Sequence, residues 1–419
     1  MSQRAPRNLR LHIGLFGRRN VGKSSLLNAI TRQEVAIVSA LPGTTTDPVE
    51  KPMELLPLGP VVFIDTAGID DEGALGELRI ARTRRVLDRT DLGVIVTDGE
   101  WGRFEQGLLT ALVERKVGVL VVFNKADRGG PDPAVRQRLA GESVATVLCS
   151  ALSGEGLESL RAALLAAAPA DYFEARRIAA DLVSPGDLVV LVVPIDKEAP
   201  KGRLILPQVQ TIRDLLDGEV VCVVTKERGL RTVLERLRQP PALVVTDSQA
   251  FLKVAADTPR EVPMTSFSIL FARFQGDLVE QVRGTLAIDR LTTGNRVLVA
   301  EACSHHPIGE DIGRVKIPRW LTQHTGARLE FDTVQGRDFP EDLSPWALVI
   351  HCGSCMGNRR EMLARILRCR QQQVPITNYG LTIAYSLGIF ERALEPFPAA
   401  LEAFRATSTP ARARPVESF

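Results

Sequence analysis

From Leu11 to about Ala170 the chain alternates short apolar runs with segments of helical periodicity. The runs are LHIGLF from residue 11, VVFIDT at 61–66, LGVIVTD at 92–98, VGVLVVFNK at 117–125 and VATVLCSA at 144–151. Strands that are apolar at successive positions, rather than at every second one, are buried on both faces, so this stretch predicts a largely parallel sheet layered between helices. Residues 171–263 repeat the pattern on a smaller scale, with DLVVLVVPI at 187–195, EVVCVVT at 219–225 and ALVVTD at 242–247, separated by the helix-like LPQVQTIRDLLD and LRTVLERLR. Three strands make a small, poorly covered sheet. Its core is completed either against a second copy of the chain or by closing on itself as a spacer.

A third stretch, 264–395, opens on SILFARFQG and the amphipathic GDLVEQVRGTLAIDRL, then adds RVLVAEAC at 296–303, ARLEFDTVQG at 327–336 and WALVIHC at 346–352. It predicts another α/β layer domain. Residues 396–419 weaken into Pro, Ala and Arg and read as a tail. The fold class is α/β throughout, with boundaries expected at 1–170, 171–263, 264–395 and 396–419.

Composition narrows this picture. The 419 residues are 45% hydrophobic and 24% charged with a formal charge of +2, a globular balance that gives no general electrostatic reason to bind nucleic acid. No charge-free, proline-free apolar run reaches about 18 residues, so no membrane span is expected. Arg4, Arg7 and Arg10 precede a short apolar run that enters a glycine motif without a cleavage pattern, and no export signal is read. Six cysteines in so long a chain are too few for a disulfide framework. Three of them lie near histidines in the last third, which points to metal chemistry in a reducing, cytoplasmic setting.

The strongest local signal is Gly17-Arg-Arg-Asn-Val-Gly22-Lys23-Ser24, a GxxxxGKS loop set between an apolar strand and the helix-like SSLLNAI. Backbone N–H groups of such a loop and of the first helical turn lack intrahelical partners and face phosphate oxygens. Gly17, Asn20, Val21, Gly22, Lys23, Ser24 and Ser25 form this cradle, with Lys23 as a point charge to the β/γ-phosphates and Ser24 as a magnesium ligand. Asp65-Thr66-Ala67-Gly68 closes the second run, placing Asp65 to hold magnesium through water and the Gly68 N–H to sense a γ-phosphate. Asn124-Lys125-Ala126-Asp127 closes the fourth. A carboxylate at Asp127 accepts from N1–H and the exocyclic amine of guanine, whereas adenine would meet it with an acceptor. Ser150 and Ala151 follow the fifth run and are expected to reach the base O6 through backbone N–H.

Four such elements, each at the carboxyl end of a strand, resemble the tRNA-modification and ribosome-assembly branch of the translation-factor-related GTPases. The resemblance implies GTP/GDP and Mg2+ as ligands and gives Asn20 a role in binding a monovalent cation, K+, beside the phosphates. It places a switch at Pro42 to Asp47, with Thr45 or Thr46 as the second magnesium ligand. Ile69 stands where many small GTPases carry a water-orienting polar residue. An isoleucine cannot orient water, so hydrolysis is expected to be slow and potassium-stimulated, with Lys23, Asn20 and Gly68 as its catalytic groups. Glu72 and Glu77 are weaker candidates for orienting that water.

The second constellation is Cys303-Ser304-His305-His306 with His351-Cys352-Gly353-Ser354-Cys355. Cys303 ends one predicted strand and Cys352 another. Neighbouring strands would bring the thiolates to the carboxyl edge of one sheet, with the positive end of the helix MGNRREMLARILR nearby. Ligand chemistry alone leaves structural zinc and an iron-sulfur cubane both open. CxH followed at a distance by HCxxC, behind this GTPase domain, resembles the [FeFe]-hydrogenase maturation GTPases, the HydF family, over about residues 8–395.

That resemblance implies a GTPase domain, a dimerisation domain and a cluster domain whose Cys303, Cys352 and Cys355 hold a [4Fe-4S] cluster. His305 and His351 match the family's histidines, either as weak ligands or as groups that support the ligands without binding iron, and His306, Glu310 or solvent can occupy the fourth corner. It implies a homodimeric scaffold that carries a transient di-iron subcluster, with radical-SAM maturases and the hydrogenase apoprotein as partners and no nucleic acid or membrane. The alternatives are an RNA-modifying or ribosome-assembly GTPase with a zinc-binding accessory domain, and an iron-sulfur redox enzyme regulated by GTP.

Overall fold

The fold is described from a computed structural model, covering residues 9–31, 49–56, 58–66, 83–169, 172, 176–194, 204–302, 311–336, 338–355 and 357–408. The chain divides into two compact units, Met1–Ala175 and Arg176–Phe419.

The first unit runs β1 (Leu11–Phe16), α1 (Lys23–Thr31), β2 (Val49–Leu55), β3 (Gly59–Asp65), β4 (Leu92–Thr97), α2 (Arg103–Glu114), β5 (Gly118–Phe123), α3 (Pro133–Gly141), β6 (Ala145–Leu148) and α4 (Leu157–Ala167). Its six-stranded sheet has the order β2-β3-β1-β4-β5-β6, parallel except for β2. Alternate residues divide between two cores. Leu11, Ile13, Leu15, Phe63, Val94 and Val122 pack towards α1 and α4, while Phe16, Ile64, Ile95, Val121 and Phe123 pack with Leu109, Leu112 and Leu139 of α2 and α3. Both faces being covered is why these strands read as unbroken apolar runs. β2, absent from the sequence reading, is the polar VEKPMEL at the sheet edge, where Pro52 costs no ladder bond.

The second unit holds two parallel four-stranded sheets. The first comprises β7 (Leu188–Val192), α5 (Leu206–Asp217), β8 (Val221–Thr225), α6 (Leu230–Arg236), β9 (Leu243–Thr246), α7 (Phe251–Asp257) and β10 (Met264–Ser266), in the order β10-β9-β7-β8. Then come α8 (Phe267–Gln275), α9 (Leu278–Thr285), β11 (Arg296–Glu301), α10 (Ile317–Thr325), β12 (Glu330–Gln335), β13 (Leu348–His351), α11 (Arg359–Gln371), β14 (Ile376–Asn378), α12 (Tyr379–Ser386), α13 (Phe390–Leu394) and α14 (Pro398–Ser408). This sheet has the order β12-β11-β13-β14.

One buried apolar cluster joins the two sheets, from Val189 and Val245 through Phe271 and Val282 to Ile350 and Leu381. Their edge strands end in the same way: Ser266 closes β10 and caps α8 through Ile269 N–H at 3.2 Å, and Asn378 closes β14 and caps α12 through Gly380 N–H at 2.7 Å. Ser268 Oγ donates to Asn378 Oδ1 at 3.1 Å and accepts from Gly380 N–H, so the caps interlock. The segment read as a tail contributes α14, whose Ala400 is buried in this core together with the preceding Phe397. Among the described residues no helix is long and apolar enough to cross a membrane.

Candidate functional site

The phosphate loop is built by backbone demands. Gly17 and Gly22 sit at φ +147° and +92°, and a Cβ would lie 2.2 Å from the Val96 carbonyl oxygen at Gly17 and 2.3 Å from Asn124 Nδ2 at Gly22. Asn20 is left-handed at φ 62°, a conformation that Asn tolerates better than most residues. The buried Lys23 ammonium donates to the carbonyls of Gly17 and Arg18 at 2.8 and 2.7 Å, which aims it along the loop. Arg18 is anchored in turn by Glu105 of α2, with Nε to Oε1 at 2.8 Å, while Glu105 also accepts the Gly102 N–H.

Ser24 Oγ donates to Asp65 Oδ2 at 2.6 Å, so the two expected magnesium ligands meet between β3 and the start of α1. Burial raises the Asp65 pKa above the ordinary carboxylate value, against the lowering effects of Ser24, Lys23 and Lys51. A divalent cation would remove that penalty by supplying the missing positive charge. Thr45, Thr46, Gly68, Ile69, Glu72 and Glu77 lie outside the described residues.

At the base end, Ser150 Oγ donates to Asp127 Oδ1 at 2.5 Å and holds that exposed carboxyl below its ordinary pKa, ionised and ready to accept. Lys125 is left-handed at φ 59° and reaches Asp98 at 3.1 Å. Asn124 is a staple: Nδ2 donates to the Val21 carbonyl at 2.9 Å and Oδ1 accepts from Ala151 N–H at 3.0 Å. It ties the phosphate loop to the segment beyond β6. Ser150 N–H donates to the Glu155 carbonyl at 2.9 Å. Both amides expected at O6 are therefore engaged within the chain, and a base oxygen here would share the Ala151 donor.

In the second unit, β11 and β13 are parallel neighbours, with Ala300 opposite His351. Cys352 N–H continues the ladder to Ala300 O at 2.9 Å. Ala302, the residue before Cys303, donates its N–H to Cys352 Sγ at 3.1 Å, and Ser354, left-handed at φ 52°, supplies a second backbone N–H. Asn358 caps α11 by accepting the Glu361 N–H at 3.0 Å. Burial raises the Cys352 pKa, while both amides and Arg365 lower it, a balance suited to a thiolate once a metal supplies charge. Cys303, His305, His306 and Glu310 lie outside the described residues. Among the described residues no three His, Cys, Asp or Glu side chains form a metal group.

His351 is fully buried with both ring nitrogens engaged. Nε2 meets Arg365 NH1 at 2.8 Å and Nδ1 meets the Cys352 carbonyl at 2.8 Å. A guanidinium only donates, so Nε2 accepts and the proton is on Nδ1. Burial, with the Arg365 charge beside it, pushes the imidazole pKa down to about 3. In this arrangement Arg365 occupies the Nε2 lone pair of His351.

The sequence reading passed over Glu105, Glu301, Arg365 and Tyr379. Glu301 is buried at the end of β11, bonded by Gln335 Nε2 at 2.7 Å and by the Tyr379 hydroxyl at 3.4 Å. Arg365 had a readable signal, since Met362, Arg365, Ile366 and Cys369 recur at helical spacing along the buried face of α11. A charge on an apolar stripe needs partners.

The fold and these loops define a P-loop GTPase domain followed by two further α/β layers. A model described as a 50S ribosome-binding GTPase matches residues 12–125, and models of the hydrogen maturase F dimerization and tetramerization domains match 178–276 and 279–396. The last two together take in more than half of the chain, which belongs to the hydrogen maturase F family. The dimerization domain supports a dimeric assembly.

The tRNA modification GTPase MnmE of Nitrosomonas europaea is 41% identical over 158 residues, 37% of this chain and 34% of that protein. MnmE of a Synechococcus strain is 42% identical over 158 residues with the same shares. The chain thus spans about a third of the length of these relatives. Among solved structures, Aquifex aeolicus Era bound to GDP and aluminium fluoride covers 51% of this chain and 93% of its own, at 22% identity and TM-score 0.34. The Thermotoga maritima FeoB G domain covers 38% and 98%, at 26% identity and TM-score 0.29.

Proposed function

We propose that the chain hydrolyses GTP in its first unit and, in its second, holds a [4Fe-4S] cluster through Cys303, Cys352 and Cys355 while carrying a di-iron subcluster, as cargo, to the [FeFe]-hydrogenase apoprotein. The observation that carries the cluster reading is the Cys352 sulfur, which receives the amide of Ala302 across two adjacent strand ends. Two backbone N–H donors directed at one sulfur suit a thiolate ligand. A cubane held by three thiolates supplies, when bound, one iron corner open to an incoming group.

In the first unit, Ser24 and Asp65 are the pair that would hold Mg2+, Lys23 and the loop amides bind phosphates, and Asp127 selects guanine. Left-handed Asn20 faces the role that the branch resemblance gives it, holding K+ where negative charge develops. Hydrolysis is slow and potassium-stimulated on this reading, and equal single-turnover rates in potassium and sodium would remove that part. Radical-SAM maturases would act upstream, with GTP biasing the segments at 41–47 and 68–80 to control their docking or the release of cargo.

For the homodimer, β8 is the edge strand of its sheet among the described residues and exposes Val221 and Val224, a strand to which a second copy can add. The deciding experiment is anaerobic reconstitution of the full chain followed by iron, sulfide and zinc analysis, repeated with Cys303→Ser and Cys352→Ser. About four irons per chain, lost in both variants, supports the scaffold. Bound zinc with no iron would instead favour an RNA-handling GTPase with a zinc domain, the reading to which the MnmE likeness belongs.

A further inference from the structure

Arg365 is a buried cation held on every side. It donates to His351 Nε2 at 2.8 Å, to the Gly336 carbonyl at 2.6 Å and to Glu361 Oε1 at 2.7 Å, and its guanidinium carbon lies 5.1 Å from the Phe339 ring centre. A guanidinium gathered from the β12 end, α11 and β13 is costly to bury, and surface stability does not call for it. What its position controls is the imidazole, and through Nδ1–H the carbonyl of Cys352. That carbonyl belongs to the turn carrying left-handed Ser354 between Cys352 and Cys355.

We propose that Arg365 and His351 form a positioning relay for the thiolate turn: Arg365 locks the neutral Nδ1–H tautomer of His351, the imidazole fixes the Cys352 carbonyl, and the guanidinium, paired with Glu361, sets a buried positive charge behind that turn. His351 is then no iron ligand, and Arg365 sets how readily the cluster accepts an electron. The potential part rests on the cluster reading above; the tautomer part does not. Removing a nearby positive charge disfavours the more negative, reduced cluster, so the midpoint falls to more negative values in its absence.

Two measurements on the full chain test this. In iron-free protein labelled with 15N-histidine, two-bond 1H–15N correlations should show one imidazole, absent in His351→Asn, as the neutral Nδ1–H tautomer. Arg365→Met removes the donor at Nε2 and should move that nitrogen's shift downfield, while the Cys352 carbonyl still holds the proton on Nδ1. An Nε2–H tautomer, or no change in Arg365→Met, overturns the relay.

In reconstituted protein, redox titration by electron paramagnetic resonance should give a more negative midpoint for Arg365→Met and a nearly unchanged one for Arg365→Lys at equal iron content. Pulsed spectra should show no iron-bound nitrogen that disappears in His351→Asn. An unshifted Arg365→Met midpoint, or a bound nitrogen lost in His351→Asn, overturns the proposal. A chain that takes up no iron at all refutes the cluster reading, while the tautomer measurement still judges the relay.

Discussion

Replacing Asn124 by alanine tests whether one side chain organises the nucleotide loops. The change strands the buried Val21 carbonyl and leaves the half-buried Ala151 N–H without its acceptor. Each lost partner in a buried setting costs about 1–3 kcal/mol, with the Ala151 share at the low end because solvent reaches it, so about 2–4 kcal/mol is expected. If about 2 kcal/mol of this is expressed in binding, GDP affinity falls roughly 30-fold.

Gly22 supplies the cross-check. A Cβ there would lie 2.3 Å from Asn124 Nδ2, so Gly22→Ala must displace the same amide. In the Asn124→Ala background that clash is gone and only the strain at φ +92° remains. A double-mutant cycle, read by titration of a fluorescent GDP analogue and by thermal melts, should give a coupling of about 1 kcal/mol or more. Additive losses, or Asn124→Ala binding GDP within twofold of the parent, would show that Asn124 is not the staple described.

Asp127→Asn should weaken GDP binding by roughly two orders of magnitude and restore binding to xanthosine diphosphate, whose C2 carbonyl accepts from an amide; isothermal titration with both nucleotides checks this. Burial pushes the Cys149 and Cys369 thiols up to about 11 and about 12, so both stay protonated at pH 8. Iodoacetamide followed by peptide mass mapping of the native chain should leave those two unmodified, with labelling appearing only after denaturation. Val224→Lys, at an exposed position on β8, should convert the dimer to monomer in light scattering while leaving GTP hydrolysis within about twofold.

The sequence declared what repetition could declare. β1 and β3 to β5 showed as apolar runs because both their faces are covered. β2 did not, because Glu50, Lys51 and Glu54 belong to a half-exposed edge and Pro52 interrupts the segment. β10 and β14 are three residues each, too short for any period, and their last residues serve as helix caps. Asn124 was legible as part of a guanine motif, but its bonds to Val21 and Ala151 join positions far apart in sequence. At the thiolate turn, the approach of Ala302 to Cys352 followed once β11 and β13 proved neighbours, whereas the Arg365 bond to His351 depends on how α11 turns against the sheet.

The interlocked caps of α8 and α12 bear on how the second unit can be handled. Between the two maturase domains, the chain can be cut on paper at residues 277–278, yet Phe271, Leu278 and Val282 sit in one continuous apolar interior. Phe271 Cβ also lies 3.6 Å from where a Gly353 Cβ would stand, next to Cys352. Excising the first half would lay bare an oily seam and remove a wall of the thiolate turn, so a fragment carrying the turn keeps its interior only when the first half comes with it.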